Sequence, residues 1–154
     1  PDWNEGCPSC SFWSDNFNGI DSHLAARDTA FVLISRGPLD RLEAYRKRLG
    51  WTFRWVSSAG SDFNFDFGVS FVKGSDANGP NYNYGSARVG GEEMPGISAF
   101  RRGDDGAIYH TYSTYGRGVD MLNGTYHLLD LTSKGRDEGG LPWPMAWVRR
   151  HDQY

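Results

Sequence analysis

No run of apolar residues in this sequence is long enough to cross a bilayer. A field of positive charge is missing as well: formal net charge is −3 and the pI about 5.8, so neither nucleic acid nor an anionic membrane is an expected partner. The one basic cluster, Arg41, Arg46, Lys47 and Arg48, reads as a solvated helix face. Cysteine is scarce, and two residues are too few for a secreted disulfide scaffold. No signal peptide is visible, and a cytoplasmic protein is expected. The sequence opens on Pro1 and not on Met, as a fragment, a processed form or a trimmed sequence would. Internal repeats and linker composition are absent, so one domain over residues 1–154 is expected.

Glycine and tryptophan are plentiful, at 20 and 6 residues. The glycines imply many turns, and the aromatics a filled core or a lined cleft. Cys7-Pro8 opens a helix, because proline at the first helical position lacks only an N–H that would be unpaired there anyway. Behind it Cys10, Trp13, Phe17, Ile20 and Leu24 form one apolar face, and Gly19 weakens the helix without having to end it. TAFVLIS, residues 29–35, reads as a strand covered on both faces. A second helix begins at Gly37-Pro38, buries Leu39, Leu42, Tyr45 and Leu49, and stops at Gly50. FRWVSS, residues 53–58, is a second strand. Residues 61–71 carry alternating aromatics that fit a strand or a packed loop, with Asp62 and Asp66 as turn-capping residues or cleft carboxylates. Residues 73–92 carry a long loop signal. GISAF (96–100) and AIYHTYS (107–113) flank Gly103–Gly106 as a hairpin. Val119, Leu122, Tyr126 and Leu129 mark a third helix, and the tail 131–154 wraps the surface through Trp143 and Trp147. This order predicts a mixed α/β sheet with helices on both faces.

Both cysteines lie in GCPSC, residues 6–10. At a helix start, Cys-x-x-Cys puts the two sulfurs within bonding reach and the first beside unpaired N–H groups that favour thiolate. Cys7 would then attack a disulfide and Cys10 would resolve the mixed disulfide. Glu5 and Asp2 would oppose the thiolate if close to it. Burial of both cysteines as packing residues is the plain alternative. Structural zinc needs four ligands, and His23, His110, His127 and His151 form no His-x₃₋₅-His pair. Copper(I), which accepts two thiolates, stays open.

Cys7-Pro8-Ser9-Cys10 resembles the thioredoxin-like superfamily, and Met94-Pro95 before GISAF strengthens the likeness. The resemblance implies that Pro95 is a cis-proline facing the cysteines, with Met94 presenting backbone to a bound substrate. More closely, the chain resembles the bacterial thioredoxin-like family labelled domain of unknown function 899. The matching stretches are GCPSCSFWSDNFNG, HLAARD, LEAYRKRLGW, GSDFNFDFGVSF, YHTYSTYGRG, NGTYHLLDLTSKGRDE and AWVRRHD. Members of that family are commonly labelled predicted dithiol–disulfide oxidoreductases. The resemblance also implies a central strand ahead of Pro1. The expectation is thus a thioredoxin-like mixed sheet without its usual central strand, which would be removed, absent from this sequence or supplied by another chain in a homodimer. Peroxiredoxins are similar in fold but carry a threonine or serine three residues before the reactive cysteine, where this chain has Asn4 before Cys7 and Cys7 before Cys10. Sco-type copper chaperones use Cys-x-x-x-Cys, and the spacing here departs from that.

In YHTYSTYGRG (109–118), strand alternation puts His110, Tyr112 and Thr114 on one face and Tyr109, Thr111, Ser113 and Tyr115 on the other. His110 is an acid–base candidate or a hydrogen-bonded core histidine. Arg117 could bind an anion or pair with Asp120. The leading expectation is a thiol–disulfide oxidoreductase with Cys7, Cys10 and Pro95 at its centre. Met94, Trp3, His110 and Arg117 would contact a disulfide-containing protein or small thiol, with no cofactor and no metal. The alternatives are a copper or small-ligand binder using Cys7, Cys10 and His110, and a non-catalytic interaction module.

Overall fold

The computed structural model describes residues 4–74 and 81–154; Asp2 and Trp3, and the 75–80 part of the long-loop expectation, lie outside the described residues. The chain forms two compact units. One takes the residues through Gly60 together with Leu122–Tyr154; the other is Ser61–Met121. The architecture is mixed α/β. In place of one mixed sheet, the described residues carry three separate two-stranded sheets.

In the first unit, α1 (Pro8–Ser14) runs into a 3₁₀ turn, Asp15–Phe17, and then α2 (Ile20–Ala25). The single helix expected from the apolar spacing is broken, because Gly19 sits at φ 85°, a left-handed conformation that no helix interior accommodates. β1 (Leu33–Ser35), α3 (Leu39–Arg48) and β2 (Trp55–Ser57) form a β–α–β unit, with Leu33 opposite Trp55 and Ser35 opposite Ser57 in parallel register. The strand expected over 29–35 is only three residues long, since β2 offers only three pairing partners, and Val32 stays 40% exposed. Leu42, Tyr45 and Leu49 are buried as the α3 stripe predicts, but Leu39, in the first turn, is exposed. Gly50 ends the helix with φ 63°.

Two aromatic clusters hold this unit. Phe17, Tyr45, Leu49, Trp51 and Phe53 make the first, with Phe31, Leu33, Trp55 and Leu122 against it. Phe12, Tyr126 and Val148 make the second, with Leu129, Met145 and Trp147 around them; Trp13 packs against both. Full burial of one such side chain contributes about 1.5–3 kcal/mol, and Phe53 and Tyr126 are fully buried. Tyr126 lies in α5 (Gly124–Asp130), whose N-cap Asn123 accepts from the Tyr126 N–H. The third helix thus starts later than expected, because Val119 and Leu122 belong to a 3₁₀ segment, Gly116–Leu122. The tail returns through Trp147 and Val148; Trp143, also expected as an anchor, is 64% exposed and belongs to neither buried cluster.

In the second unit, residues 61–71 form no strand. They make one helical turn, α4 (Phe63–Asp66), with Asp62 at its N-cap position. β3 (Asn81–Tyr82) and β4 (Ala87–Arg88) pair as a short hairpin inside the expected loop. β5 (Gly96–Arg102) and β6 (Ile108–Tyr115) form the expected hairpin, closed by a turn in which Gly106 takes φ 80°. Ala99 faces Tyr112 and Phe100 faces His110, so Thr111 is an extra residue, a β-bulge.

Candidate dithiol site

Cys7 is the N-cap of α1, extended at φ −60° and ψ 128°, with Pro8 at the first helical position. Its sulfur accepts the Cys10 N–H at 3.3 Å. Both cysteines are free thiols, Cys7 half-buried and Cys10 exposed. A hydrogen bond from the Cys10 thiol holds the Cys7 pKa down to about 6; partial burial opposes this, and the backbone donors of Cys10 and Ser9 add to it. At pH 7 a pKa of about 6 leaves Cys7 roughly ten to one thiolate. Cys10 is pushed well above its ordinary value, first by its hydrogen bond to Cys7 and then by loss of solvent around the sulfur. Solvent still reaches the residue, so we assign the rise mainly to the hydrogen bond. One proton is thus shared unequally: Cys7 is the ionised partner and Cys10 the protonated one.

The backbone around Cys7 is held from both sides. Its carbonyl accepts the Ser11 N–H at 3.0 Å and the Ser11 hydroxyl at 2.8 Å. The preceding carbonyl, of Gly6, accepts from Arg150 Nη2 at 2.6 Å and Nε at 3.1 Å. Tyr45 joins the two sides, its hydroxyl 2.9 Å from both Ser11 Oγ and Arg150 Nε. Gly6 must lack a side chain here, since a Cβ would lie 2.6 Å from the Tyr45 ring. Glu5, which would oppose the thiolate if close to it, is paired with Arg150 at 3.0 Å and lies 3.7 Å from Arg48. The tail is fastened further by His151 Nδ1 on Asp15 at 2.7 Å and by Arg48 on Asp152 at 2.7 Å. Next to these residues lies a cleft of about 460 Å³, lined by Phe12, Asp15, Trp147, Arg149, His151 and Tyr154 among others.

The remaining candidates lie in the Ser61–Met121 unit. No peptide bond among the described residues is cis, so Met94–Pro95 is trans, against the expectation. Its backbone is engaged locally: the Met94 N–H donates to Val69 O at 2.8 Å, and the Tyr82 hydroxyl donates to the Pro95 carbonyl. His110 is exposed, not a core residue. The Thr111 bulge shifts the strand period, so His110 meets Ser113, on the face opposite to the one expected: Nε2 lies 2.7 Å from Ser113 Oγ and 2.9 Å from the Tyr112 carbonyl. A carbonyl only accepts, so Nε2 carries the proton and is no base toward Ser113. Arg117 pairs with Asp120 at 2.6 Å, the structural option of the two. Among the described residues no group of three or more His, Cys, Asp or Glu gathers as a metal site.

Sequence reasoning missed Ser11, Tyr45 and Arg150. The apolar spacing of the second helix marks Tyr45 as a packing residue, and a hydroxyl carries no signal in that pattern. Arg150 was visible only as part of the AWVRRHD stretch.

No helix among the described residues is long and apolar enough to cross a membrane. A family model described as "Bacterial protein of unknown function (DUF899)" matches residues 1–154. No curated protein and no solved structure matches the chain.

Proposed function

Because the chain belongs to this family of bacterial proteins, whose description names no activity, we propose a function from its cysteine pair: a thioredoxin-like thiol–disulfide oxidoreductase. The observation that carries the reading is the Cys7 sulfur at a helix N-cap, held by Cys10 as a ready thiolate at neutral pH. Thiolate is the attacking species in disulfide exchange.

The Cys7 thiolate attacks one sulfur of a substrate disulfide. A mixed disulfide forms, and the other substrate sulfur leaves as a thiolate that takes up a proton. Cys7 no longer carries the charge that held the Cys10 proton, so Cys10 ionises more readily and attacks the Cys7 sulfur. The second substrate thiol leaves, and the protein keeps a Cys7–Cys10 disulfide. Two electrons have passed to the substrate with one proton from Cys10 and one from solvent, and an external dithiol returns the protein to its starting state. The substrate is a disulfide-containing protein or a small disulfide. The cytoplasm is the fitting compartment, since it keeps such a pair reduced.

The test is exchange with oxidised glutathione, followed by thiol labelling in glutathione buffers. A reversible two-electron transition in the range of about −270 to −200 mV is expected. Cys7→Ser should abolish exchange, and Cys10→Ser should trap the mixed disulfide. A Cys7→Ser protein with full activity would sink the reading.

A further inference from the structure

We propose that Arg150 is the positioning residue of the dithiol: it fixes the peptide plane before Cys7 and so aims the Cys7 sulfur at the Cys10 N–H. The inference rests on the oxidoreductase reading and adds to it a residue that lies 144 positions from Gly6.

A residue between two planar peptides has only φ and ψ to set its direction. At Cys7 both flanking planes are tied. The one after it is held within α1 by Ser11, whose N–H and hydroxyl both reach the Cys7 carbonyl. The one before it lies outside the helix, so no helical hydrogen bond can hold it. Arg150 supplies the missing tie with two donors on the Gly6 carbonyl, at 2.6 and 3.1 Å. Its Nε also reaches the Tyr45 hydroxyl at 2.9 Å, and that hydroxyl bonds Ser11, so the two planes are linked through one network.

The chemistry calls for arginine. A planar fork meets one carbonyl twice, the tyrosine hydroxyl and the Glu5 carboxylate together, and a lysine ammonium is a point charge without that geometry. The Arg150 side chain is only 12% exposed, so solvent does not replace these contacts. Glu5, 3.0 Å away, balances its charge. Arg150 therefore acts through backbone geometry and not as a counter-charge for the thiolate.

The experiment titrates the Cys7 thiolate by its ultraviolet absorbance in the reduced full chain. Wild type is compared with Arg150→Lys, Arg150→Ala and Tyr45→Phe, with folding checked by circular dichroism. Cys7 in wild type should titrate near 6, and in folded Arg150→Lys it should move toward its ordinary 9.0. Movement by about two pH units lowers the thiolate fraction at pH 7 about tenfold. Tyr45→Phe should move it the same way by less, and it decides the matter if both Arg150 variants fail to fold. Folded variants whose Cys7 titrates as in wild type would overturn the role of Arg150 and leave the oxidoreductase reading standing. A wild-type Cys7 that titrates near 9.0 would overturn both.

Discussion

At Cys7, protonation and folding are linked, and the sign can be worked out. The folded thiol has a pKa of about 6 against an ordinary 9.0. Between those values the unfolded chain binds a proton that the folded chain does not, so stability of the reduced protein rises with pH across that window. The gain is complete above the unfolded value and lost as pH falls through the folded one. Cys10 is shifted upward, so above pH 9.0 its contribution runs the other way. Urea midpoints of the reduced protein should therefore climb from pH 6 to pH 9 and then turn over; in Cys7→Ser the climb should vanish. The cysteine pair and its helix-start proline were legible because they are local. So was the Arg117–Asp120 pairing, three residues apart. Tyr45 and Arg150 were not, because the side chains that give them their role are joined 105 positions apart and only folding brings them together.

Among the elements, the first helix shows where periodicity misleads. The spacing of Cys10, Trp13, Phe17, Ile20 and Leu24 suits one continuous face, yet spacing carries no information on the sign of φ. Gly19 takes φ 85° with open space where a Cβ would stand, so Gly19→Ala meets no clash and tests the backbone alone. It should lower stability by roughly 1–2 kcal/mol in urea unfolding and leave α1 and α2 as separate helices. The β5–β6 hairpin was legible from its turn residues. The bulge at Thr111 was not, because an extra residue in one strand changes the register without changing the turn signal, and it carried His110 to the other face. In the tail, Glu138 gathers three donors on one oxygen: the Tyr126 hydroxyl at 2.7 Å, Trp147 Nε1 at 2.8 Å and the Met145 N–H at 3.1 Å. Burial pushes its pKa up, but these hydrogen bonds outweigh it and hold the carboxyl below its ordinary 4.5. Its stabilisation is present above that value and fades as pH falls through the lower, folded one. Glu138→Ala leaves three donors without their acceptor and should cost about 2–3 kcal/mol in thermal or urea unfolding at pH 7.

On the scale of the whole molecule, the unit that holds the dithiol is discontinuous in sequence: residues through Gly60 supply the cysteines, and Leu122–Tyr154 supplies Tyr126, Trp147 and Arg150. Composition and pattern gave the mixed α/β class and most of the helices. They did not give this division, since no linker composition marks a chain that leaves a unit and returns to it. The division has a consequence for how the protein is made. A growing chain exposes Cys7 well before Arg150, at a stage when Ser11 and Tyr45 can follow soon after. Until position 150 has left the ribosome, the two Arg150 bonds to the Gly6 carbonyl cannot form, and the plane before Cys7 lacks that tie. On the proposed role of Arg150, a nascent chain carries a cysteine of ordinary acidity, and the lowered pKa arises only once the tail closes on the unit it completes.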